Sequence, residues 1–378
     1  MKEQIIQRLT LLRSRMKDTG IAAVIIPQTD PHQSEYLADH WQVRRWLTGF
    51  TGSAGTLVVT PTEALLWTDS RYFLQAADQL EGSTVILMKD GLPDTPSITA
   101  YLISRLVKGS VVGVDGALFS VNEANSLRDT LRRHGIALDT TFNPVDSIWP
   151  DRPSLPDAPV FIHDVKYAGQ TAADKIRLIL ADANSQGASS MLVSALDEIA
   201  WTLNIRSRDV NCNPVATAFL YLSPAGSTLF IKEEKINAEV RTYLAEAGVK
   251  IAPYASMLSF ISALPENSRV LIEALRTSSQ TLDALGQRAI VGASPIPMLK
   301  AVKNSTQIAG IRTSMEHDGA ALVAAFMEIE RMMTAGEELT ELKISEILTR
   351  YRSQQPNYFD ESFETIAGYG QVGGQAVL

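Results

Sequence analysis

The chain has 378 residues, a formal net charge of −8, 45% hydrophobic residues and 20% charged residues. These proportions are typical of folded globular proteins, and the length suggests two or three domains. A protein that binds nucleic acid through backbone phosphates needs a basic face. This acidic chain has only short basic clusters, such as Arg132 and Arg133, so we expect no nucleic-acid partner.

The cysteine content and the absence of long apolar runs predict a cytoplasmic protein. The one cysteine, Cys212, cannot form a disulfide within the chain, which suits a reducing compartment. We interpret it as a packed, inert thiol rather than a nucleophile. The N-terminal segment lacks the apolar core of a signal peptide, and no apolar run reaches the ~20 residues of a membrane helix. We therefore expect no membrane partner.

Short strands alternate with helices in the first part of the chain. Apolar residues at helical spacing predict a first helix that ends at Gly20. Strands are predicted at 22–26, 55–60, 64–68, 85–88 and 111–115, and further helices at 71–80, 98–107 and 121–134. This alternation indicates an α/β domain. Five prolines between Asn143 and Pro159 then mark a linker.

The same order of elements returns after the linker. Helices are predicted at 172–186, 196–203, 236–247, 257–264 and 279–285, and strands at 190–194, 219–222, 227–231, 249–252 and 270–272. The two halves therefore suggest a duplicated α/β architecture, although no sequence repeat is visible by eye.

A long helix is predicted after a second proline cluster at 294–297. Asn304 and Ser305 supply cap-type side chains at its start, and Gly336 ends it. An apolar stripe along the helix comprises Ile308, Ile311, Met315, Leu322, Phe326 and Ile329. Another helix is predicted at 339–351 and a strand at 362–368.

Two motifs in the first half have competing interpretations. The glycine-rich run 49–55 precedes a strand and lacks the lysine of a phosphate loop, so tight turns and close packing explain it better than nucleotide binding. Asp69 and Arg71 follow the predicted strand 64–68. Asp69 fits a helix cap. Arg71 fits a ligand for a carboxylate or carbonyl, because a guanidinium donates several hydrogen bonds. Residue chemistry alone leaves both roles open.

The histidines do not have the spacing of a zinc-protease helix. They are His32, His40, His134, His163 and His317. The loop that contains His32 and His40 also carries Asp30, Glu35 and Asp39, and we interpret it as solvated loop polarity rather than a metal site. No Gly-x-Ser-x-Gly elbow is present. The residues alone therefore offer no visible candidate for nucleophilic hydrolase chemistry, and we assign no catalytic residue.

Several sequence segments, in order along the chain, resemble those of the long three-domain form of Xaa-Pro aminopeptidase. In the first domain they include Asp-Pro-His-Gln-Ser-Glu-Tyr at 30–36, Arg-Trp-Leu-Thr-Gly-Phe-Thr-Gly-Ser-Ala-Gly at 45–55 and Trp-Thr-Asp-Ser-Arg-Tyr-Phe-Leu-Gln-Ala-Ala at 67–77. Further matching segments lie at 88–96, 148–153, 195–201, 213–215 and 300–304.

The resemblance implies an α/β protein with two creatinase-like mixed-sheet domains in tandem, at 1–153 and 154–299. The incomplete start of a pita-bread α+β domain would follow at 300–378. In the family that last domain holds two divalent ions, usually manganese, on two Asp, one His and two Glu. A metal-bridging hydroxide attacks the peptide bond before proline. The implied partners are peptides with proline second, and a homodimer is one expected assembly.

The sequence departs from the family pattern after Gly370. In the family the strand matching 362–370 continues into Pro-Asn-Gly-Ala-Ile-Val-His-Tyr, whose histidine contacts substrate, whereas 371–378 here read Gln-Val-Gly-Gly-Gln-Ala-Val-Leu. The resemblance therefore implies that this histidine and all five metal ligands are missing. We expect a frameshift or premature stop, no bound metal and no activity from this chain alone. The acidic pair Asp360 and Glu361 precedes the ligand region and is not assigned to it.

One family substrate contact is retained, because Arg71 matches a first-domain arginine that reaches toward the substrate pocket. Two function classes stay open: a metal-dependent Xaa-Pro aminopeptidase whose sequence is cut short, and a non-catalytic peptide-binding or assembly module. Creatine amidinohydrolase and methionine aminopeptidase share the fold but lack one or both leading domains. We further expect residues 1–300 to fold independently and 305–378 to associate through uncovered apolar surface.

Overall fold

The computed structural model of the protein describes residues 2–368. Within this range the strands form two six-stranded mixed sheets and one two-stranded sheet. The predicted departure after Gly370 lies outside the described residues. Among residues 2–368, no helix has both the length and the apolar character needed to cross a membrane.

The first sheet and its helices occupy the chain up to residue 148. The strands are Ala23–Ile26 (β1), Thr56–Val59 (β2), Ala64–Thr68 (β3), Val85–Lys89 (β4), Val111–Gly113 (β5) and Ala137–Asp139 (β6), in the spatial order β4-β3-β2-β1-β5-β6. The helices are Lys2–Thr19 (α1), Val43–Thr48 (α2), Phe73–Leu80 (α3), Ile98–Arg105 (α4), Val121–Arg132 (α5) and Val145–Ile148 (α6).

The second sheet follows the proline-rich segment. Its region contains the strands Phe161–Ile162 (β7), Ser190–Val193 (β8), Ile205–Arg206 (β9), Ala218–Leu222 (β10), Ser227–Ile231 (β11), Val249–Pro253 (β12), Val270–Ile272 (β13) and Ala289–Val291 (β14). β7 and β9 form the small sheet, and the large sheet has the order β12-β11-β10-β8-β13-β14. The helices are Val165–Ala168 (α7), Ala172–Ser185 (α8), Leu196–Leu203 (α9), Ala238–Glu246 (α10), Met257–Ser262 (α11) and Ser279–Leu285 (α12).

The two large sheets have the same topology, which confirms the duplicated architecture. β1 and β8 occupy equivalent positions, each antiparallel to the first strand of a hairpin and parallel to a later strand. The second hairpin strand pairs in parallel with the edge strand in both sheets. Each sheet therefore consists of one antiparallel hairpin inserted among parallel strands.

Both faces of each sheet are buried. In β1, Val24 and Ile26 face the core that includes α1, whereas Ala23 and Ile25 face the core that includes α4 and α5. The second sheet divides in the same way between two cores. Side chains alternate between the faces of a strand, so a strand covered on both sides is apolar throughout. The predicted strands are short apolar runs for this reason.

Equivalent segments of the two halves also pack against each other. Ser120, the N-cap of α5, forms an antiparallel bridge with Ser278, the N-cap of α12. Four backbone bonds cross this contact: Val121 N–H to Thr277 O, Asn122 N–H to Ala274 O, Ser279 N–H to Phe119 O and Gln280 N–H to Gly116 O. Because each half contributes the same segment, the contact is approximately two-fold symmetric.

The last described part of the chain is a helical hairpin. It contains Ile296–Ala301 (α13), Ser305–Ala335 (α14) and Glu341–Ser353 (α15). Asn304 and Gln307 form a capping box at the start of α14, and Gly336 ends it in the left-handed conformation with φ 68°. The predicted start and end of the long helix are thereby confirmed, and α15 begins and ends two residues later than the predicted 339–351.

In the predicted apolar stripe Met315 and Phe326 are exposed, as expected for uncovered apolar surface, and Ile329 packs partly against the small core shared with α15. The buried residues of α14 are Ala321, Ala325 and Met332. One prediction about this part was wrong. Residues 362–368 are not a strand. A strand needs a neighbouring strand for its backbone hydrogen bonds, and residues 2–368 offer this segment none.

Matched leucine truncations test the position of the second core. Leu229 is fully buried in β11, whereas Leu74 on α3 is 61% exposed. Leu229→Ala should lower the free energy of unfolding of the second half by about 2–5 kcal/mol, because it leaves a cavity. Leu74→Ala should change stability by less than about 0.5 kcal/mol. Urea denaturation measures both, and equal effects would contradict the assigned core.

Candidate functional site

Arg71 lies directly after a buried strand, in a 3₁₀ turn that spans Ser70–Tyr72. The chain leaves β3 at Thr68, and the Asp69 side chain caps the turn by accepting the Arg71 N–H at 3.0 Å. The predicted helix over 71–80 is therefore this turn followed by α3. The capping role predicted for Asp69 is confirmed.

The Arg71 guanidinium is paired with the Asp69 carboxylate through two hydrogen bonds. Nε and Nη2 each lie 2.8 Å from a carboxylate oxygen, and the Arg71 side chain is 61% exposed. Hydrogen bonding from Arg71 lowers the pKa of Asp69 and raises the pKa of Arg71. Since a guanidinium has five N–H donors, Nη1 and one Nη2 hydrogen stay available for a further acceptor.

The glycine-rich loop 49–55 packs against the buried side of this turn. Tyr72 is buried, and its hydroxyl lies 2.6 Å from the Ser53 hydroxyl. A Cβ at Gly52 would clash with the rings of Phe50 and Tyr72. Close packing therefore explains a glycine at this position, in agreement with the sequence analysis.

Arg44 is an unusual buried cation in the same loop region. Its guanidinium donates to the Gly52 carbonyl and lies 4.7 Å from the Phe50 ring centroid. Burial lowers its pKa to about 10. The loop therefore encloses a charged group that the sequence analysis did not single out, because an Arg-Arg pair is typical of a solvated helix face.

Loops from later parts of the chain lie close to this turn. Partial burial raises the pKa of Tyr36, and the carboxylates of Glu35 and Glu364 act in the same direction. The charge of Glu35 also raises the pKa of Arg71. Arg71 therefore stands near the place where both halves and the last described segment converge.

The last described segment binds the second half through Arg208. Its guanidinium donates to Asp360 at 2.9 Å and to the Phe359 carbonyl at 3.0 Å, and its carbon lies 4.1 Å from the Phe359 ring centroid. Phe161 contacts the same ring, with centroids 5.5 Å apart. These contacts form a cleft between loop 207–214 and residues 359–362.

Cys212 lines this cleft, is half-buried and adopts a φ of 56°. Burial raises the pKa of its thiol, and the carboxylates of Asp360, Glu364 and Glu361 add to the effect. The thiolate is the nucleophilic form of cysteine. The surroundings therefore favour an unreactive thiol, as the sequence analysis predicted, but in a cleft rather than in a core.

A buried ion pair fixes loop 207–214. Lys235 and Asp209 are in contact and both side chains are fully buried. Asp209 also accepts the Thr217 N–H at 2.6 Å. Burial lowers the pKa of Lys235, which Asp209 opposes. This pair was missed from the sequence, because the two residues are 26 positions apart and nothing local marks them as buried.

The loop histidines do not form a metal site. His32 is buried, and its ring nitrogens lie 2.8 Å from the Ser194 carbonyl oxygen and 2.9 Å from the Tyr254 hydroxyl. The ring of Trp41 packs against both His32 and His40. Solvated polarity was therefore the wrong interpretation for His32, since the interface between the halves covers it. Over residues 2–368, no three His, Cys, Asp or Glu side chains cluster as metal ligands would.

Comparison with known families assigns both halves to one class of domain. Residues 8–148 match one family model described as the creatinase/prolidase N-terminal domain, and residues 151–307 match a second model with the same description. The chain belongs to the creatinase/prolidase family, with two such domains in tandem.

Within this family the chain is similar to Xaa-Pro aminopeptidases of the P type. It is 36% identical over 403 residues to "Aminopeptidase P2" of Arabidopsis thaliana, covering 97% of this chain and 57% of the relative. It is 38% identical over 379 residues to "Xaa-Pro aminopeptidase ApepP" of Drosophila melanogaster, covering 98% and 62%. The chain thus spans about three-fifths of the length of these relatives.

A solved structure has the same arrangement. The X-prolyl aminopeptidase of Caenorhabditis elegans, described as a cytosolic enzyme with a di-nuclear active site, superimposes with a TM-score of 0.90 at 32% identity. The match covers 98% of this chain and 65% of that one. Similarity therefore extends through both creatinase-like domains and into the helical hairpin.

Two substitutions of a basic residue by methionine test the buried ion pair beneath the cleft. Lys235→Met leaves the Asp209 carboxylate buried without its partner, which should cost about 3–5 kcal/mol in the free energy of unfolding. The control is Arg241→Met, which removes the exposed pair with Glu233 and should cost less than about 1 kcal/mol. Chemical denaturation measures the free energy of unfolding of both variants. A loss for Lys235→Met as small as that for Arg241→Met would contradict the burial of the Lys235–Asp209 pair.

Proposed function

We propose that this chain is the N-terminal part of an Xaa-Pro aminopeptidase, which removes the first residue from peptides with proline second. The observation that carries the proposal is the similarity to P-type relatives, at 32–38% identity over 97–98% of the chain. We place its domains at 1–153, 154–299 and 300–378, and its location in the cytoplasm.

Arg71 is the proposed substrate contact in this chain. Its free N–H donors are suited to a peptide carbonyl or carboxylate, and Asp69 holds the guanidinium in one orientation. The second domain has no equivalent residue. Its corresponding turn, Glu233–Lys235, carries Glu234 where the first domain has Arg71. The duplicated fold therefore supports a function specific to the first domain.

The two divalent ions of such an enzyme do not fit the residues that the structure describes. A two-metal site needs a cluster of carboxylate and histidine ligands. Within residues 2–368 no such cluster of three side chains is present. We propose that the ligands belong to the part of the relatives that lies beyond the matched segment. This chain alone would then bind peptide but not cleave it.

The exposed face of α14 supports a missing packing partner. Met315, Phe326, Met327 and Met333 are each more than half exposed on one helix. Exposed apolar surface of this extent is typical of an interface. We propose that the rest of the third domain covers it in the complete enzyme.

The DNA beyond codon 378 provides the direct test. All forward frames should be translated and searched for a continuation with two Asp, one His and two Glu in order. The extended protein should then release the N-terminal residue from a peptide with proline second when Mn²⁺ is added, and lose this activity with a chelator. An extended protein with all five ligands but no metal-dependent cleavage would refute the proposal.

Substitution of Arg71 tests the proposed contact. Arg71→Ala should lower kcat/KM of the extended enzyme by about 10- to 100-fold, since a hydrogen bond to a charged group contributes about 1.5–3 kcal/mol. Arg45→Ala, at another exposed arginine of the first domain, should leave kcat/KM unchanged. An unchanged kcat/KM for Arg71→Ala would assign the Asp69–Arg71 pair to turn stability alone.

The exposed helix face also favours a second candidate function, a non-catalytic assembly module. Under either function the 378-residue chain should self-associate through α14. Phe326→Lys should shift its size-exclusion profile toward the monomer, whereas Leu74→Lys, at an equally exposed leucine of α3, should not. If no metal-binding continuation exists and Phe326→Lys abolishes capture of a partner, the assembly module is the better assignment.

A further inference from the structure

The two creatinase-like domains meet around one buried imidazole. His32 lies in the loop after β1 of the first domain and is 1% exposed. Its partners belong to the second domain: Ser194 follows β8, and Tyr254 follows β12. The ring also packs on Phe219 of β10, with centroids 4.4 Å apart. His32 is therefore a first-domain side chain enclosed by the second domain.

The hydrogen bonds fix the tautomer of the neutral imidazole. A carbonyl oxygen only accepts, so Nδ1 must carry the hydrogen that is donated to Ser194 O. Nε2 then accepts the hydroxyl hydrogen of Tyr254. In this neutral tautomer both nitrogens are satisfied without water. A second proton would place a full charge among aromatic rings and away from solvent.

We propose that His32 is a proton-sensitive latch, which holds the two domains together when its imidazole is neutral and weakens their contact when it is protonated.

The charged groups around His32 act in both directions. Burial has the largest effect and lowers its pKa, Lys235 lowers it further, and Asp30 and Asp209 raise it. Tyr254 is neutral, because burial raises its own pKa well above the usual value. The net direction is downward. The closed interface therefore excludes the proton that a solvent-exposed imidazole would bind.

Two neighbouring groups also have shifted pKa values, and their effects must be separated from that of His32. Burial lowers the pKa of His40, which touches Trp41 on the first-domain side. Burial raises the pKa of Glu198, near the start of the helix after Ser194, to about 7. A raised carboxyl pKa stabilises the folded form as pH falls, so Glu198 has the opposite sign. Asp39 and Asp197 are exposed carboxylates on the same two elements.

The sign of the pH effect follows from linkage. A group whose pKa is lower in the closed form binds more protons in the open form. The closed interface is thus favoured fully above the ordinary imidazole pKa of about 6.5 and is progressively weakened below it. Because the closed form binds the proton more weakly than the open form, opening at pH 5 increases over pH 7.5 by at most about 30-fold, which is the ratio of protonated to neutral imidazole at the ordinary pKa.

Four backbone amides report whether the domains separate. Val121 and Asn122 begin α5, and Ser279 and Gln280 begin α12. First-turn N–H groups have no acceptor within their own helix, and here their acceptors lie across the interface. Their hydrogen exchange, corrected for the intrinsic pH dependence, therefore measures opening of the interface in the 378-residue chain.

The test compares exchange at pH 7.5 and pH 5 in the wild type, His32→Gln and the control His40→Gln. The wild type and His40→Gln should lose protection at the four amides at pH 5, while amides of β1 and β8 stay protected. His32→Gln should show no added loss, because glutamine can donate and accept without titrating. Retained protection in the wild type, an equal loss in His32→Gln, or simultaneous loss in β1 and β8 would each overturn the proposal.

A second variant keeps the test decisive if His32→Gln does not fold. Asp30→Asn retains the side-chain oxygen that accepts the N–H groups of His32 and Ser34, but removes the charge that favours the imidazolium. Protonation within the closed interface becomes less favourable. The loss of protection at pH 5 should therefore be at least as large as in the wild type, and a smaller loss would overturn the proposal.

Discussion

The contact between the first turns of α5 and α12 is the interaction on which the arrangement of the two domains depends. Each helix begins with N–H groups that its own backbone cannot satisfy, and each domain supplies the carbonyl groups for the other. The Ser120–Ser278 bridge lies at the centre of this exchange. Because the two segments are equivalent in a duplicated fold, one contact geometry serves both domains and fixes their relative orientation.

Duplication also makes the differences between the domains informative. The third residue of the turn after the central hairpin is Tyr72 in the first domain and Lys235 in the second, and both are buried. Each anchors the loop before its hairpin, through Ser53 and Asp209 respectively. Both domains therefore have a buried side chain that holds this loop, but the contact is between hydroxyl groups in the first domain and is an ion pair in the second. The exposed residue before it is Arg71 in the first domain and Glu234 in the second, so only the first domain has an arginine at this turn.

The sequence predicted the features that depend on local patterns. Strands buried on both faces are apolar runs, and the ends of α14 follow from the cap at Asn304 and the glycine at position 336. Features that depend on distant partners were missed. His32 was read as loop polarity because its partners lie 162 and 222 residues away. The Asp209–Lys235 pair was missed for the same reason, and Arg71 became a specific candidate only through family resemblance.

The third part of the chain shows where periodicity is insufficient. Helical spacing identifies apolar faces of α14, but tertiary contacts decide which of them is covered. The short face with Ala321 and Ala325 lets α15 approach closely, whereas the larger residues, including Phe326, point away from the hairpin. Large side chains fill wide gaps between layers, and small ones suit close helix pairs. The distribution of sizes around α14 therefore favours a hairpin on one side and a thicker layer, such as a sheet, on the other.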